Sequence, residues 1–225
     1  MKLKGGLYHQ TQIKLCYNSN RIEGSKLSEE QTRYIFETNT INTGTDKTAN
    51  IDDIIETANH FVCFDYMLDI AEEKLSEKNI KEFHRILKNN TSDSRKEWFN
   101  IGDYKSRPNM VGHDETTAPT QVKKAIANLL DSYHEKKIDF AAIIDFHYWF
   151  EKIHPFQDGN GRVGRIIMFK ECLKNDIFPF IIEDQNKLFY YRGLREYCQT
   201  PGYLIDTCLS AQDSYKEMAK YFFQL

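Results

Sequence analysis

The stretch that decides the fold of this chain is HPFQDGNGRVGR, from His154 to Arg165. Its glycines Gly159 and Gly161 allow strained backbone dihedral angles and let backbone N–H groups approach an anion closely. The next residues, VGRIIMFKECLKN, carry apolar side chains at helical spacing, which predicts that the glycine loop opens a helix. Because a helix N-terminus favours negative charge, we expect this loop to hold an anion.

Four side chains of the same stretch have the chemistry to act on a phosphate chain. Arg162 and Arg165 lie about one helical turn apart, so both guanidinium groups can bind phosphate oxygens on one side. Asp158 offers a carboxylate to a divalent cation. Histidine has an unperturbed pKa near neutrality, so His154 can accept a proton from a hydroxyl group. The stretch therefore predicts a base, a metal ligand and a phosphate-binding site in one loop.

Three other interpretations compete with this one. GNGRVG, from Gly159 to Gly164, also satisfies the dinucleotide-binding pattern G-x-G-x-x-G, with Glu183 and Asp184 near the expected position of a ribose-binding acid. That pattern needs a buried strand before the first glycine, whereas residues 139–158 have helical spacing. The P-loop pattern fails because Ile166 stands where it requires a Ser or Thr. A polar glycine loop with solvated arginines is the third alternative.

The stretch resembles the signature of Fic-domain proteins, H-P-F-x-[DE]-G-N-G-R-x-x-R, at every specified position. The resemblance implies an all-α Fic fold, a compact helical bundle with a small β-hairpin called the flap. It also implies an enzyme that transfers AMP from ATP to a Ser, Thr or Tyr hydroxyl of a target protein and releases pyrophosphate. The related death-on-curing kinases usually have Ala and Lys in the second half of GNGR, and this chain lacks that change.

The resemblance also implies a role for each residue of the loop. His154 is the general base, and Asp158 is the ligand of Mg²⁺, with Mn²⁺ as an alternative metal. Asn160 and the neighbouring loop amides hold the α-phosphate, and Arg162 and Arg165 hold the β- and γ-phosphates. The implied nucleotide-binding residues of the loop are Asp158, Gly159, Asn160, Gly161, Arg162, Val163, Gly164 and Arg165.

A second segment, SNRIEG, resembles the inhibitory motif [S/T]-x-x-x-E-[G/N] of Fic proteins of the class II type, through Ser19, Glu23 and Gly24. By itself the segment is more typical of a helix C-terminus than of an inhibitory motif. The resemblance implies that Glu23 pairs with Arg165 and thereby competes with the γ-phosphate for one cation. In some relatives this Glu also takes part in removing AMP from the modified target. We expect an inhibitory helix region over residues 1–40, packed on a catalytic domain over residues 41–225.

Two further segments fit parts of the same family. GDYKSRPNMVGHDETTAP, residues 102–119, is rich in turn formers and predicts an irregular or hairpin segment between helices. Its residues Met110, Val111, Gly112 and His113 resemble the flap, which would hold a target segment by strand addition. The alternative is a long loop that only covers the core. Tyr190 and Tyr191 resemble the tandem aromatic residues of the adenine pocket, and since adjacent helical residues cannot share a face, we expect one of them to be core.

The composition limits where the protein works and what it binds. The chain has 225 residues, is 40% apolar and has no long linker, which predicts one globular unit. The net charge of −3 argues against a nucleic-acid partner. Five cysteines without C-x-x-C spacing argue for reduced thiols, and therefore for the cytoplasm. There is no apolar stretch of membrane-spanning length. The expected partners are ATP, a target protein or the chain itself, and a homo-oligomer is compatible with the tyrosine-rich helix faces.

The remaining sequence predicts helices by its caps and apolar periodicity. The first helix ends at Glu23 and Gly24, and a capping box at residues 28–31 begins the second. Further helices are expected over residues 50–73, 79–90, 121–136, 139–154 and 213–225. His147, two turns before His154, suggests a metal ligand, but a third ligand is missing, and we expect a core or supporting role. A nucleotide-binding module without transfer activity is the alternative function.

Overall fold

The computed structural model describes residues 3–44, 48–112 and 114–223, and most of them are helical. The helices of these ranges are α1 (Leu7–Ile22), α2 (Glu29–Thr38), α3 (Ile51–Asp69), α4 (Glu77–Lys88), α5 (Pro119–His134), α6 (Phe140–Ile153), α7 (Asn160–Lys174), α8 (Lys187–Glu196) and α9 (Gly202–Phe223). Strands β1 (Met110–Val111) and β2 (Asp114–Glu115) pair antiparallel. The predicted all-α fold with a small hairpin is confirmed, and His113 lies outside the described residues.

The chain forms two compact units. The first unit comprises Met1–Phe64 and Phe178–Leu225, and the second comprises Asp65–Ile177. Helices α1, α2, α8 and α9 belong to the first unit, whereas α4 to α7 and the hairpin belong to the second. The division at residue 40 that the sequence suggested stays a prediction.

In the first unit, the helix signals of the sequence act as predicted. Ser28 accepts from the backbone N–H of Gln31, whose side chain in turn accepts from the backbone of Ser28, so the capping box is formed. A buried cluster of Cys16, Leu27, Ile35 and Phe61 packs this part of the chain. The tail prediction was wrong in its start, because α9 begins at Gly202, directly after Pro201, which is typical of a helix N-terminus.

In the second unit, α7 is buried along Asn160–Cys172, including its polar residues. The sequence predicted a helix here, but not that every face of it would be covered. Two of its buried charged residues, Lys170 and Glu171, are paired within the core. Lys170 and Glu171 form an ion pair at 2.8 Å, and the Tyr133 hydroxyl donates to Glu171 Oε2 at 2.9 Å. Such pairing is what allows charged groups to stay in an apolar interior.

Helix α6 precedes the glycine loop in place of the strand that a dinucleotide-binding fold requires. The rejection of that interpretation is therefore confirmed. In the part of the chain that the structure describes, no group of potential metal ligands includes His147. In the same residues, no helix is long and apolar enough to cross a bilayer.

Candidate active site

Two residues with left-handed backbone angles shape the loop between α6 and α7. His154 ends α6 with φ 50° and ψ 63°, and its backbone N–H donates to Phe150 O at 2.9 Å. Gly159 begins α7 with φ 82°, a conformation that a residue with a Cβ rarely adopts, and its carbonyl accepts from Val163 N–H at 3.0 Å. The chain therefore turns sharply at both ends of the loop, which holds the histidine next to the start of α7.

Asn160 closes the loop from the inside. Its Oδ1 accepts from the Phe156 N–H at 2.8 Å, and its Nδ2 donates to Phe156 O at 2.9 Å. Both ends of the side-chain amide are therefore used by the loop backbone. The first N–H groups of α7 have no partner within the helix, as at any helix start, and such groups can donate to an anion. Direct contact of Asn160 with an α-phosphate stays a prediction.

Asp158 is held by two cations. Lys88 Nζ donates to Asp158 Oδ2 at 2.7 Å, and Arg162 Nη2 donates to the same oxygen at 3.0 Å. Lys88 is itself buried and also pairs with Asp93 at 2.6 Å. Burial acts against the Asp158 carboxylate, but attraction to Arg162 and Lys88 outweighs it and holds the pKa well below its usual range.

The Asp158 carboxylate fits a divalent metal ligand. It is ionised at neutral pH, it is a hard oxygen donor, and its side chain is 49% exposed. The cations that hold it also mean that a metal would share this carboxylate with Lys88 and Arg162. Asp158 would then hold Mg²⁺ only while the negative charge of a phosphate chain offsets the local positive charge.

Arg162 and Arg165 are both buried on the first turns of α7. The positive charge of Arg165 reaches His147 on α6. Burial, and then the charge of Arg165, lower the pKa of His147 to about 3, so its imidazole is neutral. Gly164 lies against the same ring, since a Cβ added there would be 2.7 Å from His147 Cε1. His147 is 1% exposed and belongs to the core, which is one of the two roles that the sequence suggested, whereas support of His154 stays a prediction.

His84 supports the loop from α4. Its ring stacks on Phe156, with centroids 4.0 Å apart and an interplanar angle of 3°. Its Nδ1 accepts from the Gly102 N–H at 3.0 Å. Burial, and then the charge of Lys88, lower the pKa of His84 to about 3, which keeps it neutral for stacking. The sequence analysis did not identify this residue.

The flap residues Met110, Val111 and Gly112 lie on the hairpin as predicted. Met110 and Val111 are exposed, and Gly112 has φ 61° at the turn. Met110 lies opposite Glu115, and Val111 lies opposite Asp114. The hairpin is confirmed, whereas its binding of a target segment stays a prediction.

The other implied residues lie in the first unit. Glu23 is the exposed C-cap of α1, and Gly24, with φ 100°, donates its N–H to Arg21 O at 3.0 Å. The SNRIEG segment ends helix α1, which is the alternative interpretation given in the sequence analysis. Ser19 is buried one turn before Glu23. The pairing of Glu23 with Arg165 stays a prediction.

The two tyrosines differ in burial, as their adjacency on α8 predicted. Tyr190 is 1% exposed and belongs to the core. Tyr191 is 41% exposed, and its hydroxyl donates to Ile22 O at 2.8 Å, at the end of α1. If one of them contacts a base, Tyr191 is the accessible one.

The chain was compared with known protein families and proteins. Residues 74–172, which lie within the second unit, match the Fic/DOC family model. Protein adenylyltransferase fic-1 of Caenorhabditis briggsae is 26% identical over 195 residues, which cover 84% of this chain and 37% of that protein. Protein adenylyltransferase Fic of Nematostella vectensis is 28% identical over 191 residues, which cover 80% of this chain and 42% of that protein. The chain thus spans about two fifths of the length of these curated relatives.

Solved structures show the same fold. A Fic domain containing signaling protein from Bacteroides thetaiotaomicron has a TM-score of 0.79 at 23% identity, covering 95% of this chain and 87% of that chain. Fic-1 from C. elegans has a TM-score of 0.71 at 22% identity, covering 94% and 63%. The chain therefore has the fold of these Fic proteins, and the match to the Fic/DOC family model covers its residues 74–172.

Sequence reasoning missed Lys88 and His84, which are distant from the glycine loop in the chain but contact it in the structure. Lys88 ends α4, where a cation usually lies in solvent beside the helix dipole, so nothing in the pattern marked it as buried. The only available signal was its spacing of one turn from His84, which places both on one face of the helix.

Proposed function

We propose that this protein is a protein adenylyltransferase that transfers AMP from ATP to a hydroxyl group of a target protein. The observation that carries the proposal is the loop between α6 and α7. It presents His154 at one end, while the first turns of α7 contain two buried arginines at the other. A site that only bound phosphate would need the arginines and the backbone amides but no base. The curated relatives named as adenylyltransferases support the same chemistry.

In this proposal His154 acts as the general base. Its imidazole accepts the proton of the target hydroxyl, and the hydroxyl oxygen forms a bond to the α-phosphorus of ATP. The bond from that phosphorus to the bridging oxygen of the β-phosphate breaks, and pyrophosphate leaves with the electron pair. The left-handed backbone of His154, with its N–H bonded to Phe150 O, supports this role because it fixes the residue at the start of the loop.

The phosphate chain is held by groups with fixed positions. The amides at the start of α7 face the α-phosphate, and Arg162 and Arg165 neutralise the β- and γ-phosphates. Because both arginines are buried, their charges are poorly screened by water and act strongly on a bound anion. Asp158 would hold Mg²⁺, which supplies charge neutralisation at the phosphate oxygens.

The proposal includes inhibition by the end of α1. Glu23 would pair with Arg165 and so compete with the γ-phosphate for one guanidinium. If the pair of Glu23 and Arg165 contributes about 3 kcal/mol, removing Glu23 would raise ATP affinity by roughly two orders of magnitude. The reverse reaction, removal of AMP from the target, would also use Glu23. We take residues 1–40 as the inhibitory region in this scheme.

The proposed partners are ATP, a protein target and the chain itself as a target of self-modification. All five cysteines are thiols, none of them in a disulfide, which supports a reducing compartment such as the cytoplasm.

The test is incorporation of label from α-³²P-ATP into protein by wild type, by Glu23→Gly and by Glu23→Gly with His154→Ala. We expect roughly a hundredfold more label with Glu23→Gly than with wild type, and none with the double variant. The matched control is Glu135→Gly, because Glu135 is the C-cap of α5 and is exposed like Glu23.

Each result has a definite meaning. Label in the Glu135→Gly control equal to that of Glu23→Gly would contradict inhibition by Glu23. No label in any variant, with ATP binding intact by calorimetry, would contradict the transfer activity and favour a nucleotide-binding module.

A further inference from the structure

A buried lysine lies in the segment that leads into the flap, and the sequence analysis gave it no role. Lys105 is only 3% exposed. Its ammonium donates to Asn109 Oδ1 at 2.7 Å and to Thr116 Oγ1 at 2.6 Å. Asn109 directly precedes β1, and Thr116 directly follows β2. Lys105 therefore binds both ends of the hairpin at once.

The same residue also contacts the loop that carries the proposed base. The backbone N–H of Lys105 donates to Pro155 O at 2.9 Å, and the ammonium approaches Ile153 O at 3.5 Å. Ile153 and Pro155 are the two neighbours of His154. Asn109 adds a third link, since its Nδ2 donates to Phe156 O at 3.1 Å.

The hairpin depends on such anchors for its position. Each strand has two residues, and both strands are exposed, so the strand pairing alone is too small to be stable in water. At its base, the Thr116 hydroxyl donates to Asn109 O at 3.0 Å, and the Thr116 N–H lies 3.4 Å from the same oxygen. The ammonium of Lys105 binds the side chains of these same two residues and so adds to the hydrogen bonds at the open end of the hairpin.

Among the described residues, the ammonium of Lys105 has no carboxylate partner, because its hydrogen-bond acceptors are the neutral oxygens of Asn109, Thr116 and Ile153. Burial lowers the pKa of this ammonium to about 8, and it stays protonated at neutral pH. An unpaired buried cation is costly, so a purely packing role would be served better by an apolar side chain of the same length. The directed hydrogen bonds are what distinguish the lysine from such a residue.

We propose that Lys105 is a positioning residue that fixes the flap relative to His154, and thereby fixes where a target segment on the flap presents its hydroxyl group. This inference rests on the proposed function for its catalytic part, whereas its structural part can be tested without any transfer of AMP.

The first measurement is hydrogen exchange of a peptide covering residues 109–116, by mass spectrometry. We expect Lys105→Met to raise the exchange rate of this peptide at least tenfold while peptides of α6 and α7 stay as protected as in wild type. Thr116→Val removes the hydroxyl at the other end of the contact and should raise the same rate without touching the lysine. Lys105→Arg, which keeps a cationic donor, should restore most of the protection.

The matched control is Lys152→Met. Lys152 also contacts the hairpin, at 3.4 Å from Asp114, but from the solvent side. Exposed pairs contribute little, so flap exchange should stay within about twofold of wild type. Unchanged flap exchange in folded Lys105→Met and Thr116→Val, or an equal rise in Lys152→Met, would overturn the proposal.

The second measurement is the rate of AMP transfer in a Glu23→Gly background. We expect Lys105→Met to lower transfer at least tenfold with the KM for ATP within about twofold of the parent, and Lys105→Arg to recover most of the rate. If Lys105→Met instead raises the KM for ATP and leaves the transfer rate at saturating ATP unchanged, the proposed positioning of the target hydroxyl group is wrong. If the Glu23→Gly parent itself transfers nothing, the proposed function fails, and the exchange result alone decides whether Lys105 positions the flap.

Discussion

Replacing Asn160 with Ala tests whether its side chain holds the loop closed. The change removes two buried hydrogen bonds, at 2.8 and 2.9 Å, both to the backbone of Phe156. The Phe156 carbonyl keeps a bond from Asn109 Nδ2 at 3.1 Å, but the Phe156 N–H loses its acceptor inside the protein. An unsatisfied buried donor costs about 1–3 kcal/mol, and the second bond contributes about 0.5–1.5 kcal/mol. We expect a loss of about 2–4 kcal/mol in the free energy of unfolding.

Urea unfolding followed by tryptophan fluorescence measures this loss where it occurs. Both tryptophans, Trp98 and Trp149, belong to the unit Asp65–Ile177, which also contains the loop. The matched control is Asn175→Ala at the other end of α7. The side-chain Nδ2 of Asn175 makes one hydrogen bond, to Glu171 O at 2.8 Å. That variant should lose only about 0.5–1.5 kcal/mol.

Nucleotide binding gives a second measurement for the same variant. Because the loop amides hold the anion only while the loop is closed, Asn160→Ala should also bind ATP more weakly, whereas Asn175→Ala should bind it as wild type does. Equal stability of the two variants, with unchanged ATP affinity in both, would refute the assignment of Asn160 as the residue that closes the loop.

Two further predictions concern the helices around the loop. Gly164→Ala places a Cβ 2.7 Å from the buried ring of His147. The resulting overpacking of about 1–3 kcal/mol should exceed the gain in helix propensity of about 1 kcal/mol. In Gly202→Ala the new Cβ lies 4.0 Å from Asp206 Oδ2, an ordinary contact, so this variant should unfold at the same urea concentration as wild type or higher. The pair of Asp158 with Lys88 predicts a pH dependence: the Asp158 pKa is lowered in the folded state, so its stabilisation is present above the unfolded value and is lost as pH falls. The difference in unfolding free energy between wild type and Lys88→Met should therefore be constant from pH 5 to 7 and shrink below about pH 4, and a difference that does not change with pH would contradict this.

Much of the local structure could be predicted from short stretches of sequence. The capping box at Ser28, the end of α1 before Gly24 and the helix after Gly159 all appear where the residues indicated. Each depends on the backbone angles and hydrogen bonds of residues a few positions apart, so the responsible side chains are neighbours in the chain.

The helix boundaries and the burial of single side chains could be predicted less well. The start of α9 was placed too late, at Asp213, because the apolar pattern between Gly202 and Asp213 is mixed with polar residues. Which tyrosine of the pair at 190 and 191 is buried was also open, since periodicity says that the two faces differ but not which face meets the core.

The sequence by itself determined the glycine loop between α6 and α7, with His154 before it and Arg162 and Arg165 on the helix that follows, because these residues are close together in the chain. Only the tertiary structure decided that Lys88 reaches Asp158, 70 positions away, and that Lys105 reaches the carbonyl of Ile153, 48 positions away. A lysine in a sequence carries no sign of its burial, because burial depends on which distant oxygens the packing of α4, α6 and the hairpin brings within hydrogen-bonding distance.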